Sequence, residues 1–241
     1  MLTINHLTKH YKGSTKGVTD LTLHVAPGDL YAFIGHNGAG KTTTLKCITG
    51  IHDFEKGKIL VSGVDVRRDP IASKRLFAYI PDNPDLYEYL TGIQYLSFIA
   101  DVFGVSAADR QARIEKYAGE FDLTASLGDL ISSYSHGMKQ KLALISAMVH
   151  EPKLLILDEP FVGLDPKASA VMKNMMRDLC AKGGAVFFST HVLEVAEKLC
   201  NKVAIIKDGT LVASGSMDEI VKDGESLESI FMEVVDDAER E

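Results

Sequence analysis

Leu30-Tyr31-Ala32-Phe33-Ile34-Gly35-His36-Asn37-Gly38-Ala39-Gly40-Lys41-Thr42-Thr43 is the stretch from which the rest of the chain is read. Its first five residues are apolar without a break, the pattern of a strand covered on both faces. Gly35 to Thr42 then fits G-x-x-x-x-G-K-[ST], and a helix from about Gly40 to Thr49 follows. Each residue type there has a task. The glycines let backbone N–H groups converge on phosphate oxygens, and the helix N-terminus faces the same anion. Lys41 brings a charge to the β- and γ-phosphates, and the Thr42 hydroxyl is a ligand for Mg²⁺. The reading is therefore an ATP-binding and ATP-hydrolysing α/β protein.

Two further apolar runs, Leu154 to Leu157 and Ala185 to Phe188, flank a helical segment from about Pro166 to Lys182. That is the spacing of parallel strands joined by a crossover helix. The first run ends in Asp158-Glu159, two carboxylates delivered to the C-terminal end of a buried strand, where open α/β sheets bind ligands. Asp158 is placed to hold Mg²⁺ directly or through water, and Glu159 to polarise the attacking water. His191 follows the second run through Ser189-Thr190 and is expected to face the same crevice. A lone histidine is more often a filler, so its meaning comes from these neighbours.

Away from these strands the pattern changes. The first thirty residues alternate, as in Leu2-Thr3-Ile4-Asn5 and Leu21-Thr22-Leu23-His24-Val25, which is the period of half-exposed antiparallel strands. Lys58 to Val61 and Phe77 to Ile80 are further strands, the latter stopped by Pro81. From there to about His150 the chain reads as helical, with stripes at Leu90, Ile93, Leu96 and Phe98-Ile99 and at Ile114, Tyr117, Ala118 and Phe121. Asp208-Gly209 between two short apolar runs predicts a tight hairpin. Asp218 to Glu241 is acidic and reads as helical, with Leu227, Ile230, Phe231 and Val234 on one face.

Composition narrows the function classes. The 241 residues carry 46% hydrophobic and 24% charged side chains, ordinary values for a globular protein able to bury a core unaided. The most apolar region, Leu90 to Val105, is interrupted by Gln94, Ser97 and Asp101, so no membrane span is expected. Met1 leads straight into a strand rather than a basic and apolar leader, giving a cytoplasmic expectation. A net charge of −7 argues against nucleic acid as the main partner. Cys47, Cys180 and Cys200 lack C-x-x-C spacing and are read as buried structural thiols.

The order of these motifs resembles the nucleotide-binding subunits of ATP-binding-cassette (ABC) proteins over nearly the whole chain. Gly35 to Thr42 resembles the Walker A motif, Leu154 to Glu159 the Walker B motif, Gly163-Leu164-Asp165 the D-loop, and His191 the switch histidine. Tyr11 stands where the family places a ring on adenine. The family signature, usually LSGGQ, is similar to Tyr134-Ser135-His136-Gly137-Met138. There Ser135 is suited to cap the next helix and to turn its N–H groups toward an anion. His136 and Met138 depart from the usual glycine and glutamine. Asp82, after Tyr79-Ile80-Pro81, replaces the Q-loop glutamine with a shorter side chain that has no amide donor.

The resemblance implies one α/β domain over residues 1–241: a P-loop NTPase core of ABC ATPase type with an antiparallel β subdomain, a helical subdomain at 83–150 and an acidic helical tail at 218–241. It implies nucleotide contact by Tyr11, by Gly35, His36, Asn37, Gly38, Ala39, Gly40, Lys41, Thr42 and Thr43 of the loop, and by Ser135, Gly137 and Asp165. Catalysis falls to Glu159, His191 and Lys41, and Mg²⁺ to Thr42, Asp158 and Asp82. The implied partners are a second nucleotide-binding subunit, identical or paralogous, with ATP in the interface, and a polytopic permease at the inner face of the membrane. Pro84 to Thr91 is similar to the same segment of bacterial export-type subunits. A soluble single-cassette ATPase of the iron–sulfur-assembly type fits the same length. A GTPase fits less well, because Asn201-Lys202-Val203-Ala204 lacks the carboxylate that reads guanine.

Overall fold

The computed structural model describes residues 1–14, 16–222 and 224–237. Among the described residues ten strands form two sheets. The first is antiparallel in the order β2-β1-β4-β5, built from β1 (Leu2–His10), β2 (Gly17–Val25), β4 (Lys56–Val61) and β5 (Val64–Asp65). Leu2 stands opposite Val25 on one side and Val61 on the other, so the alternating apolar residues of all three strands share one face.

The second sheet has the order β10-β9-β3-β8-β7-β6, from β3 (Leu30–Ile34), β6 (Phe77–Ile80), β7 (Leu154–Asp158), β8 (Ala185–Thr190), β9 (Lys202–Lys207) and β10 (Thr210–Ser216). Its pairings are parallel except β9 with β10. The continuous apolar runs are explained by what lies on each side. Tyr31, Phe33, Leu154, Ile156, Ala185 and Phe187 pack into one core with the antiparallel sheet. Their alternates Ala32, Ile34, Leu155, Leu157, Val186 and Phe188 pack into a second core with the helices. The parallel sheet is thus the wall between two cores, which is why neither face of its strands carries a polar stripe.

The helices are α1 (Lys41–Ile48), α2 (Pro70–Lys74), α3 (Gly92–Val102), α4 (Ala107–Glu120), α5 (His136–Val149), α6 (Pro166–Ala181), α7 (Leu193–Leu199), α8 (Met217–Ile220) and α9 (Leu227–Asp237). Several starts are set by side chains that accept the first N–H groups: Thr91 and Gln94 form a reciprocal capping box for α3, Ser106 caps α4, and Asp165 with Pro166 opens α6. Asp208 and Gly209, at φ of 46° and 80°, make the hairpin turn between β9 and β10.

One sequence expectation needs correction. The α3 stripe divides: Leu96 is fully buried, but Ile93 and Phe98 are 36% and 44% exposed. The described part of the acidic tail holds two helices, α8 and α9, with Gly224 at φ +88° between them. Residues 238–241 and the Val234 side chain lie outside what is described.

Candidate active site

β3, β7 and β8 lie side by side and end at the same edge of the sheet, so the loops that follow them converge. Close packing dictates two of the glycines after β3. A Cβ on Gly35 would stand 2.5 Å from the Ile206 carbonyl oxygen, and one on Gly40, whose φ is +109°, would stand 2.9 Å from that of Gly17. The hairpin turn braces the loop from behind, with the Gly209 N–H donating to the Ala39 carbonyl at 2.9 Å. Within the loop the Lys41 ammonium, 6% exposed, donates to the carbonyls of Gly35 at 2.7 Å and His36 at 3.3 Å.

The two carboxylates after β7 have different surroundings. Asp158 is 2% exposed; its Oδ2 accepts from the Thr42 hydroxyl at 2.7 Å and its Oδ1 from the Ser189 hydroxyl at 2.5 Å. Glu159 sits at φ +46°, a conformation that costs about 1–2 kcal/mol for a residue with a Cβ and that turns its side chain back to the crevice. There Oε1 lies 3.5 Å from Lys41 Nζ, while Oε2 lies 2.9 Å from His191 Nδ1 and accepts the His191 N–H at 3.3 Å. The Glu159 N–H is held in turn by the Ser189 hydroxyl at 3.0 Å.

A cavity of about 210 Å³ opens over these groups, lined by residues 36–38 and 40–43 together with Asp82, Asp158 and Glu159. His191 reaches the group through Glu159. Tyr11, 41% exposed, hangs its hydroxyl on Thr43 Oγ1 at 3.2 Å, beside the first turn of α1. A larger groove of about 780 Å³, between α4, α6 and the start of β7, contains none of the loop residues.

Ser135, Gly137 and Asp165 fall in a second cluster. Ser135 caps α5, its hydroxyl accepting the Met138 N–H at 3.3 Å. The His136 ring rests on Gly163, where a Cβ would come within 2.7 Å of it. Asp165 accepts the Ala168 N–H at 2.7 Å and pairs with Lys141 at 2.8 Å, and that lysine holds its carboxyl below the usual range. Two residues that the sequence reading passed over link the loops. Ser189 is the polar end of an otherwise apolar strand. Gln140 is the buried amide on α5, 3% exposed, that donates to the Asp82 carbonyl at 3.3 Å.

A family model described as ABC transporter matches residues 18–162. The chain belongs to the ABC transporter family. It is 34% identical to the ABC-type transporter ATP-binding protein EcsA of Bacillus subtilis, with 97% of this chain and 96% of that protein covered. It is also 34% identical to the Nod factor export ATP-binding protein I of Paraburkholderia xenovorans, over 87% of this chain and 69% of that one. A solved structure described as the ATP binding subunit of an ABC transporter superposes with a TM-score of 0.93 at 36% identity, covering 98% of this chain and 99% of the other. As an ABC transporter subunit the chain binds and hydrolyses ATP, and its fold is the ABC ATPase P-loop fold expected from the motif order.

Proposed function

We propose that two such subunits, identical or paralogous, close head to tail around two ATP molecules and drive export through a polytopic permease. The observation that carries the catalytic half is the placement of Glu159, which touches Lys41 on one side and His191 on the other. In this reading Glu159 polarises the attacking water, His191 orients the carboxylate, and Lys41 exchanges its loop carbonyls for phosphate oxygens. The loop from Gly35 to Thr43 supplies N–H groups to the phosphates, and Tyr11 offers its exposed ring to adenine.

Mg²⁺ suits the donor set. Thr42 and Asp158 present two hard oxygens 2.7 Å apart, and Asp82 lines the same cavity. When bound, the ion neutralises charge on the phosphate oxygens. Ser135 and Gly137 do not line their own subunit's cavity; at the N-terminus of α5 they suit the phosphates of ATP held by the partner subunit, with Asp165 beside them.

The helical unit at 83–150 faces the permease. Tyr87, Tyr89, Ile93 and Phe98 are exposed, with the Tyr87 ring 6.0 Å from Tyr89 and 5.8 Å from Phe98. An aromatic surface of this kind suits burial against a partner. Among the described residues no helix is long and apolar enough to cross a membrane. In this reading the subunit is held at the cytoplasmic face through its partner. Export is favoured by the likeness to a subunit named for Nod factor export.

Glu159→Gln is the test. It is expected to keep ATP binding, to lose hydrolysis, and to accumulate as a dimer when ATP is added, read by light scattering. Hydrolysis at the parent rate would remove the base assignment, and a monomer at saturating ATP would remove the sandwich.

A further inference from the structure

The C-terminal helix α9 is anchored on two sides. The Ser226 hydroxyl caps it by accepting the Ser229 N–H at 3.1 Å, and the buried Leu227 donates its N–H to Glu197 Oε2 on α7 at 2.8 Å. One turn later Phe231, 7% exposed, places its ring 4.9 Å from the imidazole of His36 at an angle of 56°. His36 is the second residue of the phosphate loop. Its carbonyl accepts both the Ala39 N–H at 3.1 Å and the Lys41 ammonium at 3.3 Å. The helix therefore touches the loop at the residue whose carbonyl helps to seat the lysine.

We propose that α9 is a strut that holds the phosphate loop in its nucleotide-binding shape, with Phe231 a positioning residue that acts through His36. His36, Asn37 and Gly38 are exposed, and apart from its chain neighbours no described residue lies within 4 Å of where a Cβ on Gly38 would stand. On this outer side the His36 ring is what the rest of the fold grips. A loop already held in shape loses less conformational freedom when ATP arrives, so the contact acts on affinity rather than on the chemical step.

The inference rests on Gly35 to Thr42 being the nucleotide site, so Lys41→Ala is measured beside it by displacement of a fluorescent nucleotide. In the full chain with MgATP, Phe231→Ala is expected to raise KM about two- to tenfold, the range implied by losing one aromatic pair, with kcat little changed. Phe231→Tyr is expected to keep the parent KM. His36→Ala should raise KM by the same factor, and adding Phe231→Ala to it should change nothing further. Should Phe231→Ala fail to fold, His36→Ala, at an exposed loop position, and Phe231→Tyr carry the test. An unchanged KM, independent effects of the two substitutions, or a fall in kcat at constant KM would overturn the strut. Nucleotide binding retained by Lys41→Ala would instead overturn the loop assignment beneath it.

Discussion

Nδ1 of His191 lies 2.9 Å from Oε2 of Glu159, close enough to fix the carboxylate against the left-handed backbone from which it projects. The tautomer that fits this contact carries its hydrogen on Nδ1, so that the ring donates a hydrogen bond to the carboxylate. The other carboxylate oxygen then points toward Lys41 and the cavity. An orienting role of this kind acts on the chemical step and leaves substrate affinity alone.

His191→Ala should therefore lower kcat by about 10–100-fold, the usual cost of losing a partner that orients a reacting group, with KM for ATP near the parent value. Steady-state phosphate release measures both. A parallel rise in KM would mean that the histidine contributes to nucleotide binding instead.

Ser189→Ala tests the residue that bridges both carboxylates. The hydroxyl is fully buried, donates to Asp158 Oδ1 and accepts the Glu159 N–H. Its removal leaves the buried Asp158 Oδ1 short of a donor, while the Glu159 N–H keeps the Ser189 carbonyl at 3.2 Å, at a cost of about 1–3 kcal/mol in urea unfolding. Asp158 is then held only by Thr42, so the Mg²⁺ concentration for half-maximal activity should rise by about tenfold or more. Unchanged Mg²⁺ dependence would reduce Ser189 to a packing role.

The parts of this site that were legible in the sequence are those whose chemistry is written in consecutive residues. Leu30 to Thr42 shows both the strand and the loop, because burial on two faces and phosphate binding each impose a local pattern. Asp158, Glu159 and His191 were legible as ends of apolar runs. Ser189 was not, since one serine after Phe188 looks like an ordinary strand end until the neighbouring strand sets it 2.5 Å from Asp158. The same holds for Phe231 and His36, which meet only through the packing of α9 and α7. The exposed Ile93 and Phe98 show another limit. Helical period reports that a face is apolar, but not whether it is covered by its own core or turned outward. The break before α9 has a local mark in the Asp-Gly pair at 223–224, whose glycine takes the positive φ of a turn.

The last relationship concerns stability rather than turnover. Phe103 and His150 stack with ring centroids 3.7 Å apart and 6° between planes, and the buried His150 Nδ1 has no hydrogen-bond partner among the described residues. Burial, helped by the nearby Arg113 charge, lowers the imidazole pKa to about 4. The unfolded chain takes up this proton near pH 6.5, while the folded chain refuses it until about pH 4. The contribution to stability is therefore complete above about pH 6.5, declines as the pH falls, and levels off below about pH 4. Its size over that interval is on the order of 3 kcal/mol, of which roughly 2 kcal/mol is lost by pH 5. His150→Phe keeps a ring against Phe103 and carries no proton. Urea unfolding of the parent and this variant at pH 7.5 and pH 5 should show the variant gaining on the parent by that amount in acid. A stability difference that stays constant between the two pH values would mean that His150 titrates alike in the folded and unfolded chains.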